Sequence, residues 1–178
     1  YILWMAKWLR SNYPVLDLKM AKPKALLSVD IDHPFYTRDV SLGKWLKRSL
    51  KEMTFISEKD KYDTTEYMLD KMGDLASIFF ILCPQHPSDI DHFNHRDSEA
   101  FLSMINRLRS RSKIGLHPSY YAEERNLIIE ELEWLSRKHH RQIKSIRFHY
   151  LRFDVETTPD LLLAHQIQND FSLGYGTH

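Results

Sequence analysis

The sequence predicts an α/β protein built on a parallel sheet. Three observations carry that prediction. Strand-like and helix-like runs alternate, with strands recurring roughly every 25 to 50 residues, as crossovers between parallel strands require. The run Ser77-Ile78-Phe79-Phe80-Ile81-Leu82-Cys83 is apolar throughout, which suits a strand buried on both faces. Apolar runs also end abruptly in charge, most plainly in Ala25-Leu26-Leu27-Ser28-Val29-Asp30-Ile31-Asp32-His33-Pro34. Carboxyl ends of parallel strands are where such folds place their chemistry.

The elements follow in order. Trp4/Trp8 and Met5/Leu9 recur at helical spacing, so the first residues form an amphipathic helix expected to pack on the domain. Its apolar run is too short to cross a membrane, and it lacks the basic start and cleavage site of a signal peptide. Pro14 and Pro23 frame a connector, so residues 1–23 are a helix and linker and residues 24–178 the main domain. Strand one is Ala25 to Val29. Leu42, Trp45, Leu46 and Leu50 suggest a helix. Asp63-Thr64-Thr65-Glu66 reads as a capping box opening a helix to Met72, stopped by Gly73. The second strand, Ser77 to Cys83, ends at Pro84 and gives way to a polar, histidine-rich loop.

A helix from Ser98 buries Phe101, Leu102, Ile105 and Leu108. Lys113 to His117 is the third strand, stopped by Pro118. Ala122 to His140 is a helix with Ile128, Leu132 and Leu135 inward and Glu123, Glu124, Glu130 and Glu131 in water. Its early glutamates and late basic residues suit the macrodipole. Ser145 to Tyr150 is the fourth strand and its exit. Pro159 to Ile167 is a short helix, and Phe171 to Tyr175 starts a fifth strand. The chain begins with Tyr and stops just after that strand, so both ends read as cuts in something longer.

A length of 178 residues suits one domain. A net charge of +1 creates no strong field, so neither a nucleic acid nor a membrane surface is an expected partner. The basic run Arg137 to Arg141 reads as a solvated helix end. The single cysteine, Cys83, excludes an internal disulfide and points to a reducing compartment, the cytoplasm.

The strand ends gather one set of chemistry. Strand one delivers Asp30, Asp32 and His33, strand three His117 and Ser119, and strand four Arg147, His149 and Tyr150. Carboxylate with imidazole is a ligand set for zinc or a similar divalent ion. Alternation puts Asp30 and Asp32 on one side of an extended chain. One can then hold a metal while the other acts as base. Asp89-Ile90-Asp91 repeats the spacing, but no strand positions it, so it reads as a chance match. His92 and His95 read as solvent-exposed, and Cys83 as core.

Ser28 to Pro34, Gly115-Leu116-His117-Pro118-Ser119-Tyr120, Arg147 to Phe153 and Asp170 to Tyr175 resemble, in order, motifs of the polysaccharide deacetylase family. This is the NodB-homology group, carbohydrate esterase family four. The likeness is to a divergent bacterial branch found with surface-polysaccharide and O-antigen genes, and it covers residues 24–178. It implies an irregular (β/α) barrel of about seven strands, a divalent metal, usually zinc, and hydrolysis of an N-acetyl group on an amino sugar, a carbohydrate partner. By position, it makes Asp30 the catalytic base, Asp32 and His117 metal ligands, and Arg147 the group that orients the base. Tyr150 falls near the residue whose backbone N–H stabilises the oxyanion. Ser119 and Tyr120 are expected to meet substrate.

Two departures stand out. Tyr121 occupies the place of the family's second metal histidine, so His33, His149 or another group must replace it. The family's late histidine, the general acid, would lie beyond His178, and five strands leave the barrel incomplete at its C-terminal end. A second reading follows: a non-catalytic carbohydrate-binding or assembly protein on the same scaffold. A third is a hydrolase of some other amide or ester.

Overall fold

The computed structural model describes residues 2–13, 24–35, 60, 62–91, 96–124 and 127–173, with Gly43 and Leu46. The helix expected around Leu42 to Leu50 lies outside them apart from those two helical residues, as do His92 and His95. Helix α1, Ile2–Asn12, forms where the spacing places it. Its Trp4, Met5 and Trp8 are exposed, however, so this apolar stripe is not packed on the domain as expected.

Strands β1 (Leu27–Ile31), β2 (Ser77–Leu82), β3 (Lys113–His117), β4 (Ser145–Ile146) and β5 (Asn169–Asp170) form one all-parallel sheet in the order 1-2-3-4-5. Each crossover moves to the next position without reversal. That is the winding of a (β/α) barrel, of which this sheet is compatible with a part, rather than of a doubly wound sheet. Among the described residues β1 and β5 are its two edges.

Helices α2 (Thr65–Met72), α3 (Glu99–Arg111) and α4 (Ile128–His139) cover one face; α5 is Thr158–Ala164. The period-two alternation of a strand sorts β2 between the faces. Phe79 and Ile81 join the core with Phe101, Met104, Ile105, Leu108, Leu132 and Leu135. Phe80 points the other way, where its ring lies 5.1 Å from that of Phe171. Gly115, its register partner on β3, makes room: a Cβ there would stand 2.5 Å from the Phe80 ring.

A long side chain spans the sheet over Phe80. Three inter-strand steps would set β1 and β4 roughly 14 Å apart if flat. Yet Arg147, one residue past β4, donates to Asp30 Oδ1 on β1 at 2.9 Å and to Ser28 Oγ at 2.8 Å. Its guanidinium crosses over the Phe80 ring, 4.7 Å from the centroid.

Several boundaries differ from expectation, each for a tertiary reason. β1 starts at Leu27, because pairing with Ser77 fixes its origin; Ala25 and Leu26 are apolar but exposed. Asp30 therefore lies inside the strand and Asp32 just past it. The capping box at Thr64 does not form. Its Asp63 instead accepts from the Thr65 hydroxyl and pairs with Arg107 at 3.0 Å, tying α2 to α3. α4 starts at Ile128, six residues late, because Ser119 is held back in a turn by Glu131. β5 is Asn169–Asp170, two residues early. The Asp170 carboxylate takes the Ser172 N–H and hydroxyl and ends the strand there. Gly73 stops α2 as expected, at φ +53°, a conformation side chains resist.

Candidate metal centre

Asp32, His117 and His149 each offer a ligand atom within 4.8 Å of the others, close enough to hold a metal ion. They come from three segments that the parallel sheet carries to the same rim. Asp32 follows β1, His117 ends β3 and is buried, and His149 lies in the turn that leaves β4.

The hydrogen bonds behind the two rings set which nitrogen faces the rim. His117 Nδ1 meets the Arg147 carbonyl, which can only accept, so Nδ1 carries the proton. His149 Nδ1 meets Asp91 Oδ1 at 2.9 Å, so it too is the protonated nitrogen. In the neutral rings both Nε2 atoms then present lone pairs towards the Asp32 carboxylate, at 3.3 Å from Oδ1 for His117 and 4.0 Å from Oδ2 for His149.

Lone pairs facing lone pairs are unfavourable unless a cation or a proton lies between. Asp32 Oδ1 is buried and has no hydrogen-bond partner among the described residues. These are the marks of a cation site. Tetrahedral ligands at about 2.0–2.1 Å from zinc would stand about 3.4 Å apart, so His117 and Asp32 already have that spacing.

With a proton rather than a cation in the gap, His117 Nε2 would hydrogen-bond the Asp32 carboxylate and, against the opposing effect of burial, hold it below its ordinary value, aided by the charges of His117, His149 and His33. Burial alone would lower the His149 pKa. The Asp91 hydrogen bond and the charges of Asp32, Asp91 and Asp30 outweigh it and raise the value.

Beside the trio, Arg147 fixes Asp30. Its NH1 donates to Asp30, its NH2 to Ser28 Oγ and its Nε to the Phe171 carbonyl at 3.2 Å. Three fixed acceptors and two aromatic faces, Phe80 and Phe171, leave the guanidinium little freedom.

The other sequence-predicted residues are placed as follows. His33 is exposed and is not among the three clustered ligands. The Tyr121 hydroxyl donates to Asp89 Oδ2 at 3.3 Å, while His149 takes the third place in the trio. Ser119 is buried, and its N–H and hydroxyl both go to Glu131, at 3.0 and 2.6 Å, so it faces inward rather than to a substrate. Tyr120 and Tyr150 meet edge to face at 5.6 Å, and Tyr150 lies 4.5 Å from the His149 ring. Tyr150 and Leu151 are left-handed, at φ +59° and +53°. Two consecutive side-chain-bearing residues in that region store strain of about 1–3 kcal/mol each.

Two buried carboxylates escaped the sequence. Asp91, read as a chance match, is 1% exposed; it orients His149 and accepts the Tyr120 N–H at 2.6 Å. No strand places it, but Ser88 does: its hydroxyl accepts the Asp91 N–H at 2.8 Å. Glu131, read as solvated, is also 1% exposed. Burial pushes its carboxyl up to about 7, against the two Ser119 hydrogen bonds. The helical spacing was a usable signal, since positions 128, 131, 132 and 135 share one face.

No protein-family model, curated protein or solved structure matches the chain.

Proposed function

We propose that this protein is a metal-dependent hydrolase that removes the N-acetyl group from an amino sugar of a bacterial surface polysaccharide or its precursor, such as an O-antigen unit. The observation that carries the proposal is the Asp32–His117–His149 trio flanked by the Arg147–Asp30 pair. A ligand trio alone fits many roles. A second carboxylate, held apart from the ligands by its own arginine, is what a hydrolytic base needs. The ordered resemblance to polysaccharide deacetylases supports the choice of acetamide and sugar.

Asp32 and the two Nε2 atoms would hold the ion, and carboxylate with two imidazoles favours zinc. Such an ion supplies Lewis acidity, bringing the pKa of water down to about 7 and polarising an acyl oxygen. Asp30 takes the proton of the attacking water. The new C–O bond forms first and the acyl oxygen becomes an oxyanion; the C–N bond then breaks as Asp30 returns its proton to the nitrogen, giving acetate and a free amine. Arg147 keeps Asp30 aimed throughout. Tyr150, in its left-handed turn beside His149, offers its backbone N–H to the developing oxyanion and its exposed ring to the sugar.

The test uses the full-length protein loaded with divalent metal and a panel of N-acetylated amino sugars, with acetate as readout. Acetate release that is lost in Asp30→Asn and Asp32→Ala upholds the proposal. Bound metal with no acetate from any such sugar overturns it. Glycan binding that survives chelation and Asp32→Ala would instead mark a carbohydrate-binding protein.

A further inference from the structure

At the opposite end of the strands lies a second polar feature, independent of the metal centre. α3 ends just before β3 begins, and α4 ends shortly before β4. Between these two helix ends is a hollow of about 350 Å³ lined by Arg109, Ser110, His139, His140 and Arg141. No carboxylate lines it.

The two arginines stand apart from the others. Arg96, Arg107, Arg111, Arg137, Arg147 and Arg152 each lie within 4.0 Å of a carboxylate. Among the described residues Arg109 and Arg141 have no such partner. His139 is 9% exposed, and its Nδ1 has no hydrogen-bond partner among the described residues. Burial, then the charges of Arg141, Arg109 and His140, lower its pKa, so the field at this ring is positive. The Ser110 hydroxyl already donates to the Arg107 carbonyl at 2.8 Å.

Helix ends offer an ordinary explanation for basic residues, and magnitude decides against it. Each C-terminus carries roughly half a negative charge. Two such ends offset about one of the two guanidinium charges and leave the other. One last-turn carbonyl of each helix is also already engaged. Leu108 O takes the Ser112 N–H and hydroxyl, and Arg137 O takes the His140 N–H.

We propose that this hollow binds a phosphate group, gripped by Arg109 and Arg141. A planar guanidinium offers paired N–H donors that match phosphate oxygens, and two of them suit a dianion. A second hollow of about 610 Å³ shares Arg141 and is lined in part by Ile129, Leu132, Ile143 and Ala164. It has room for an apolar body carried by the phosphate. The phosphate therefore comes from a soluble ester or from a lipid headgroup.

The experiment titrates inorganic phosphate into the full chain at constant ionic strength. Calorimetry follows binding, and NMR follows the His139 and His140 ring protons. Saturable one-to-one binding that shifts both rings is expected. Arg109→Gln and Arg141→Gln should each weaken it about tenfold. Arg111→Gln, whose parent arginine pairs with Glu66 and Asp70 outside the hollow, should leave it unchanged. A parallel arm sediments the protein with phosphatidic acid or phosphatidylcholine vesicles. Retention on phosphatidic acid alone assigns the lipid source, and phosphate binding without it assigns the soluble one. Absence of both, or wild-type affinity in the Arg109→Gln/Arg141→Gln double variant, overturns the proposal.

Discussion

Asp91 joins the two histidine segments: one carboxylate oxygen takes His149 Nδ1–H at 2.9 Å and the other takes the Tyr120 N–H at 2.6 Å. Tyr120 lies three residues beyond His117, so a single buried side chain sets the spacing between two ligands. Removing an outer partner of a metal histidine commonly costs 10–100-fold in affinity. Asp91→Asn keeps the shape but turns an N–H donor towards one of these two donors. Zinc affinity, measured by competition with a chelator, should fall by about that factor while the fold survives. Unchanged affinity would show that Asp91 serves the loop alone.

His149, not Tyr121, completes the trio close enough to hold a metal ion, which makes it the expected third ligand. The tyrosine hydroxyl is engaged with Asp89. Zinc content should approach one per chain in the wild type and in Tyr121→Phe. It should drop close to zero in Asp32→Ala and His149→Ala. Elemental analysis of the four proteins, purified alike, decides this. Metal retained by His149→Ala and lost by Tyr121→Phe would reverse the assignment.

Arg147 serves the two halves of the site through different atoms. Its carbonyl faces His117, and its guanidinium faces Asp30. Substitution removes the second contact and spares the first, so metal binding and catalysis should separate. Arg147→Lys keeps one charge but cannot reach Asp30, Ser28 and the Phe171 carbonyl together. It should retain full metal content and lose kcat by at least tenfold. Arg147→Ala should approach the roughly 10²–10⁴ that a positioned base supplies. Loss of metal in step with activity would show a structural role instead.

These cases also show where the sequence spoke and where it did not. β2 was legible because a continuous apolar run, stopped by proline, has few other solutions, and β3 because a short run with Ile114 and Leu116 is likewise stopped by Pro118. Strand order carries Asp32, His117 and His149 to one rim, so the first two could be named as candidate ligands, while His149 was legible only as one possible replacement beside His33. Asp91 was not legible: it lies 58 residues from His149 in a polar loop, and only tertiary contact gives it a partner. β1 was misplaced by two residues because its start depends on Ser77 across the sheet, not on its own apolar content. The Arg147–Asp30 bridge across the sheet was hidden for a similar reason, since it joins residues 117 positions apart. Glu131 was the avoidable miss, because its helical phase places it with Ile128, Leu132 and Leu135 whatever its charge.

Glu131 also gives the protein a pH dependence with a definite sign. Folded, this carboxyl titrates near 7; its ordinary value is 4.5. Below about pH 4.5 the folded and unfolded chains both hold the proton, and burial costs little. As pH rises towards 7 the folded chain holds more protons than the unfolded one, so stability falls with pH. Above 7 the buried charge is fully formed, at a cost of about 3 kcal/mol. Glu131→Gln keeps an oxygen for Ser119 and cannot ionise. Denaturant unfolding at pH 5 and pH 8 should show the wild type losing about 2–3 kcal/mol more than the variant across that interval. Other groups titrate there too, but they are common to both proteins and cancel in the difference. Equal losses in the two chains would mean that Glu131 is charged at both pH values and that its Ser119 hydrogen bonds outweigh its burial.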